Sequence, residues 1–341
     1  MREMKKLSRI SLILIGIGLI LAITGFFMGG KLGIVRDNSK FKVFDSKETV
    51  IKNEELYSFK SIDIASNVDN IDIIKSDRYA IEIQYEGDNS EVNYTIKDEK
   101  LVIEESKLKN KGINIDFRIG DSQIPRYIKV YVPSSVDLDS IDVKSDNANI
   151  TMNDISASDI LLHCEYGNIN AENINTDIFN VEMDNGNINI KKLNSNNNAV
   201  LKNLYGNIQI NDSTFNKLSN DVTNGSLSME NTSIDNVIIN NEYGNIKSHS
   251  LITNGLQIKS DNSKIDLDGE FKGNTSIKSD YGDVKIKTNI PQELYNYSVS
   301  CEYGNIKIGK EKFENNIKIN NNKENSIDIV SNNGNINIDF K

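Results

Sequence analysis

Along most of this chain apolar and polar residues alternate, and the alternation is interrupted at regular intervals by a glycine preceded by asparagine or tyrosine. Phe179, Val181 and Met183 lead up to Gly186, and Ile188 and Ile190 follow it. A period of two on both sides of a turn residue predicts strands entering and leaving that turn. The turn glycines are Gly167, Gly186, Gly206, Gly225, Gly244, Gly282 and Gly304, at spacings of 19, 20, 19, 19, 38 and 22 residues, with Gly334 as a more distant last copy. The double interval contains a degenerate copy at Ser263, and Ala148 stands one period before Gly167. Two residues after the turn the chain is always apolar: Ile150, Ile169, Ile188, Ile208, Leu227, Ile246, Ile265, Val284, Ile306 and Ile336. Ile155, Ile174, Leu193 and Leu251 mark another inward corner near the end of the unit.

Repeats of this size indicate a solenoid or an array. Two all-β architectures fit: a β-solenoid of about ten 19-residue coils stacked in parallel, or an antiparallel array in which Asn-Gly and Tyr-Gly are two-residue hairpin turns. The solenoid is preferred, because only parallel stacking sets like residues on like, giving isoleucine rows inside and asparagine ladders at the turns. Residues 148–341 form the β-repeat domain in this reading. Residues 41–147 alternate less regularly, as in Ser-Ile-Asp-Ile at 61–64 and Tyr-Ile-Lys-Val-Tyr-Val at 127–132, and read as the start of the solenoid or its cap.

The N-terminal segment has a different pattern. Residues 10–30 carry no charge and are mostly Ile, Leu and Gly, long enough to cross about 30 Å of hydrocarbon as a transmembrane helix. Arg2, Lys5, Lys6 and Arg9 precede it, so residues 1–9 are expected in the cytoplasm, with a polar stalk at 31–40 and the remainder outside the cell. A cleaved signal peptide is the rival reading, although no Ala-x-Ala site follows the run. Gly25 and Gly29 are spaced for packing of a helix dimer.

Charge narrows the function. The net charge is −10, with +3 in residues 1–30 and therefore −13 beyond them. An acidic exported part without arginine after Arg126 excludes electrostatic binding to nucleic acid or anionic lipid. His163 and His249 are the only histidines and have no metal-binding companion, so both read as structural or solvated. Cys164 and Cys301 hold the same inward repeat position; seven coils at about 4.8 Å would part them by about 34 Å, too far for a disulfide. Tryptophan, the favoured platform for sugars, is absent. No catalytic residue and no cofactor site emerges.

Two rows remain as candidate contact sites. The residue before the turn is Asn147, Tyr166, Asn185, Tyr205, Asn224, Tyr243, Asn262, Tyr281, Tyr303 or Asn333. Stacked coils would set the rings of Tyr166, Tyr205, Tyr243, Tyr281 and Tyr303 along one edge, suited to gripping an extended glycan or peptide. The simpler explanation is that both residue types suit the turn. One position earlier lies an acidic row, Asp146, Glu165, Asp184, Glu242, Asp261, Asp280 and Glu302. Its repulsion is expected to be screened, relieved by Lys247, Lys285 or Lys307, or bridged by Ca2+.

The strand, Gly-Asn-Ile turn and strand succession, after Tyr-Val-Pro-Ser at 131–134 and one N-terminal anchor, resembles a bacterial "putative adhesin" family of β-strand repeat proteins that includes LiaG-type membrane proteins of Gram-positive bacteria. The resemblance covers about residues 60–341. It implies an extracytoplasmic all-β repeat domain, sometimes encoded with cell-envelope stress systems, and supplies no catalytic residue. The expected function is a non-enzymatic, membrane-anchored adhesin, scaffold or envelope-stress accessory that contacts cell-wall polymer or envelope proteins. The alternatives are a glycan-binding or glycan-cleaving β-helix, and a regulator of a membrane sensor acting through its helix.

Overall fold

The structure is a computed structural model, which describes residues 2–27, 34–37, 40–43, 49–86, 90–107 and 125–341. The chain divides into two units. One comprises Met1–Val50, Tyr85–Glu91 and Ser106–Pro125. Its described elements include the helix Arg2–Phe27 and an antiparallel pair, Ile34–Asp37 with Lys40–Val43, lying within and just after the segment expected to be a stalk. Residues 28–30, including Gly29 of the expected helix-packing pair, lie outside the described residues. Among the described residues no helix is long and apolar enough to cross a membrane. Side chains of the helix are described for residues 11–25, which would span about 22 Å at 1.5 Å per residue.

The other unit, Ile51–Gln84, Val92–Glu105 and Arg126–Lys341, holds the repeats. Successive coils pair in parallel and in register: Ile150 lies beside Ile169, Ile169 beside Ile188, and Ile188 beside Ile208. The hairpin alternative is therefore set aside, since partners are one repeat apart in sequence rather than across a turn. The predicted inward row is buried throughout, from Ile150 to Ile336. It extends beyond the expected first repeat, because Ile150 also pairs with Ile71 and Ile71 with Ile128. The boundary drawn between 147 and 148 falls inside the stack.

Backbone proximity dictates the turn. A Cβ built on Gly186 would lie 1.5 Å from the carbonyl oxygen of Gly167, and one on Gly167 would lie 1.9 Å from that of Ala148. Each turn glycine sits so closely on the turn below that no side chain fits. The residue after the glycine supplies the expected ladder. The Asn149 side-chain oxygen accepts the backbone N–H of Asn168 at 3.2 Å, Asn168 accepts that of Asn187 at 3.1 Å, and Asn187 that of Asn207 at 3.0 Å.

A second corner, six residues after the turn, is built differently. Asp154, Asn173, Lys192, Asp212, Asn231 and Ser250 all have φ between 50° and 58°. Asp and Asn tolerate this left-handed region better than other non-glycine residues, and Asn231 donates from its amide to Asp212 at 3.2 Å.

The ends of the stack depart from sequence order. Ile277 of the Gly282 coil pairs with Ile329, and Val299 of the Gly304 coil pairs with that same residue from the other side. The last segment of the chain, Asn325–Phe340, is thus inserted between the two coils that precede it. Gly334, the last copy in sequence, is therefore not the last in the stack, whose order is Gly282, Gly334, Gly304. The N-terminal end repeats the device. Ser61–Ala65 lies between Lys100–Glu104 and Leu138–Asn147, so the earlier strand is sandwiched by later ones. Antiparallel strands then cover the outer coils, Asn316–Ile319 against Tyr297–Ser300 and Ala80–Gln84 against Tyr127–Tyr131. These mixed ends remove the bare parallel edge that would otherwise template association.

The interior carries polar exceptions. Glu105 is paired with Arg126 at 2.6 Å and also accepts from Ser66 and the Asn67 backbone, so its largely buried charge is well satisfied. Asn220 differs: it is wholly buried between Leu201 and Ile239, and neither side-chain polar atom has a partner in the protein.

Two stability measurements check this account by denaturant titration. Gly186→Ala is expected to cost roughly 3 kcal/mol or more by pressing Cβ into backbone, whereas Gly255→Ala, which meets only the flexible end of Asn236, costs less. Asn220→Leu is expected to stabilise the protein by about 1–3 kcal/mol, the cost of an unpaired buried amide. A destabilised Leu variant would show that the amide is satisfied in solution.

Candidate functional site

The corner before the turn glycine presents the row singled out above. Pairing runs Asn147 to Tyr166, Asn185, Tyr205, Asn224, Tyr243, Asn262 and Tyr281. Tyr281 then pairs with Asn333, and Asn333 with Tyr303. In sequence the alternation breaks, because Tyr281 is followed by Tyr303. The inserted C-terminal coil repairs it, so phenol and carboxamide alternate without interruption along the whole corner.

The tyrosine side chains are exposed alike, at 53% for Tyr166, 54% for Tyr205, 53% for Tyr243, 56% for Tyr281 and 65% for Tyr303. The backbone at the row is engaged: the Tyr205 carbonyl accepts the N–H of Gly186 at 2.9 Å, and that of Tyr243 accepts from Gly225. Their side chains are not. Among the described residues none of these tyrosine hydroxyls and none of the asparagine amides at 147, 185, 224, 262 and 333 makes a side-chain hydrogen bond within the protein, in contrast to the bonded ladder two residues on. Turn stability therefore accounts for the asparagines after the glycine and not for those before it. Stacking like on like would let amides bond or rings stack, and strict alternation forgoes both.

The acidic row runs beside it and is exposed or half-exposed. It is interrupted by Leu204 and Thr223, and by Asn332, which donates to Asp280 at 2.9 Å. The lysines expected to relieve it do not: Lys307 pairs with Asp339 at 3.3 Å, and among the described ion pairs neither Lys247 nor Lys285 appears with a carboxylate of the row. Nor do the carboxylates converge. Among the described residues no group of three or more His, Cys, Asp or Glu side chains could hold a metal ion.

The histidines are placed on strands. His163 is half exposed, 3.7 Å from Glu182, which Lys202 approaches to 2.6 Å. These three face a shallow groove of about 450 Å³ lined also by Leu161, Asn180 and Val200. Lys202, and then His163, hold the Glu182 carboxyl below its ordinary range, which weakens it as a base, and no Ser, Thr or Cys lines the groove. Both cysteines are buried and free. Burial raises each thiol, which keeps it protonated and unreactive. The inserted coil sets them eight rungs apart instead of seven, or about 38 Å at the usual strand spacing.

The described strands define an all-β, largely parallel solenoid with a regular corner of alternating tyrosine and asparagine. The chain belongs to the family described as Toastrack DUF4097, which it matches over residues 59–203 and 176–339. Among solved structures it is similar to a "putative adhesin" of Bacteroides fragilis, 12% identical over 86% of this chain and 98% of that one, with a TM-score of 0.32. A "putative lipid binding protein" of Parabacteroides distasonis is 13% identical over 85% and 96%, with a TM-score of 0.42. A "putative adhesin" of the same organism is 12% identical over 85% and 97%, at 0.36. Likenesses of this degree fix neither ligand nor role. No curated protein matches the chain.

The separation of the acidic carboxylates predicts that millimolar calcium and chelator leave the melting temperature of the repeat domain unchanged; a rise of several degrees with calcium would show that the row gathers around an ion.

Proposed function

We propose that this chain is a non-enzymatic binding module displayed outside the cell membrane, an adhesin or envelope scaffold whose contact surface is the tyrosine and asparagine corner. The observation that carries this reading is the unbroken alternation of exposed tyrosines with exposed or half-buried asparagines whose side chains make no hydrogen bond among the described residues. A row maintained across coils of different sequence, and restored where chain order would break it, is what a periodic partner would select.

The membrane attachment rests on the N-terminal segment. The helix Arg2–Phe27 is 26 residues long, and the uncharged run in the sequence continues to Gly30. Leu12, Ile13, Leu14, Ile15, Ile20 and Leu21 are each more than 60% exposed, so its apolar surface surrounds the helix instead of forming one stripe. A helix apolar all round needs an apolar environment. The basic residues before it favour a cytoplasmic N-terminus, leaving the repeat unit outside.

The full chain, expressed in a bacterium, is expected to sediment with membranes through carbonate washing and to dissolve only in detergent. On intact cells its lysines are expected to react with a membrane-impermeant amine reagent. Labelling that appears only after lysis would overturn the reading.

A further inference from the structure

The spacing of the row carries an inference about what it binds, and this deepens the reading above by naming the ligand class. Neighbouring strands lie about 4.8 Å apart, so tyrosines on every second coil recur at about 9.6 Å. Extended ligands differ in how they match that period. A polyproline II helix has 3 residues per turn at 3.1 Å each, or about 9.3 Å per turn. Over the four intervals from Tyr166 to Tyr303 the accumulated mismatch is only about 1.2 Å. A β-strand repeats its facing side chains at about 6.8 Å and is out of step after one interval. Two turns of α-helix cover about 10.8 Å and drift by nearly 5 Å over the row.

The chemistry of the alternation agrees. Aromatic surfaces receive the rigid rings of polyproline II ligands in the known recognition modes. Such a helix has no internal hydrogen bonds, so its carbonyls are free to accept. The side-chain amides of Asn185, Asn224 and Asn262, which make no hydrogen bond among the described residues, stand between the rings to donate to them. Charge selects further. The acidic row lies one residue from the rings, and its carboxylates, including Glu165, Glu242 and Glu302, have no ion pair among the described residues. Lys144, Lys259 and Lys278 stand two residues before Asp146, Asp261 and Asp280, with Lys144 held by Asp142 at 3.1 Å, while no lysine stands two residues before Glu165, Asp184, Glu242 or Glu302. A cationic ligand is favoured and an anionic cell-wall polymer is opposed.

We propose that the tyrosine and asparagine corner binds a lysine-rich, proline-rich protein segment in the polyproline II conformation, about 13 residues along the five rings. Every third residue of the ligand packs on a tyrosine, intervening carbonyls take hydrogen bonds from the asparagine amides, and its basic side chains face the acidic row.

The test uses the full chain in lipid nanodiscs and fluorescent peptides read by anisotropy. The peptide (Pro-Pro-Lys)5 is expected to bind at least tenfold more tightly than (Gly-Ser-Lys)5, which has the same length and charge and no fixed conformation. Combining Tyr205→Ala, Tyr243→Ala and Tyr281→Ala is expected to weaken binding at least tenfold. The same positions changed to Phe stay within about threefold, and the melting temperature of both variants confirms the fold. Equal binding of the two peptides, or an Ala variant that binds as well as the parent, overturns the proposal. So does a chitin hexasaccharide that binds through these tyrosines when the proline peptide does not. The titration involves no cell, so it fails or succeeds independently of whether the domain is displayed outside.

Discussion

Every feature of the repeat unit depends on one contact, the seating of each turn directly on the turn below it. The carbonyl of one turn glycine lies where the next would carry its Cβ, which fixes coil spacing and register together. Once register is fixed, like side chains fall on like. The isoleucines form one continuous buried row, and Asn149, Asn168, Asn187, Asn207 and Asn335 each accept a backbone N–H of the next coil. Ser263 occupies the turn position in one coil, and Lys264 and Asp283 stand where others have the ladder asparagine. Asp283 still accepts the backbone N–H of Asn335 at 2.8 Å, so the ladder survives substitution by any good acceptor.

The same constraint creates the problem that the ends solve. A parallel stack exposes a complete strand edge at each end, and a terminal coil is held by a single neighbour. Here Ser61–Ala65 and Asn70–Ser76 near the start and Asn325–Phe340 at the end are inserted one coil inward, so each pairs along both edges. The outermost coil is then covered by antiparallel strands. Opening an end requires several strands to leave together, which makes fraying cooperative.

Stacking also separates residues that serve the fold from those that do not. The asparagines on the two sides of the turn glycine look equivalent in the repeat motif, yet most of those after it are bonded along the ladder, while among the described residues those before it, with the tyrosines, make no side-chain hydrogen bond. Cross-coil ion pairs such as Lys191 with Glu172 at 2.7 Å and Lys202 with Glu182 at 2.6 Å belong to the exposed surface and contribute little. The acidic row beside the aromatic corner has no ion pair among the described residues, and only Asp146 and Asp280 accept from a neighbouring amide side chain. That juxtaposition gives the domain an anionic, ring-lined strip of fixed period.

The sequence by itself determined the strand period, the turn positions, the inward isoleucine row and the asparagine ladder, because each follows from interactions repeated at constant spacing. The left-handed corner at Asp154 and Asn173 went unread, although an Asp or Asn six residues after several of the glycines was its signal. Tertiary structure alone decided the order of the coils, since the pairing of a strand depends on which edge is free when it arrives and not on its place in the chain. The doubled tyrosine at 281 and 303, followed by the long step to Gly334, was the trace of that exchange in the sequence. Only the inserted coil could turn a broken pattern into a continuous one, because alternation along the corner is a property of neighbours in space.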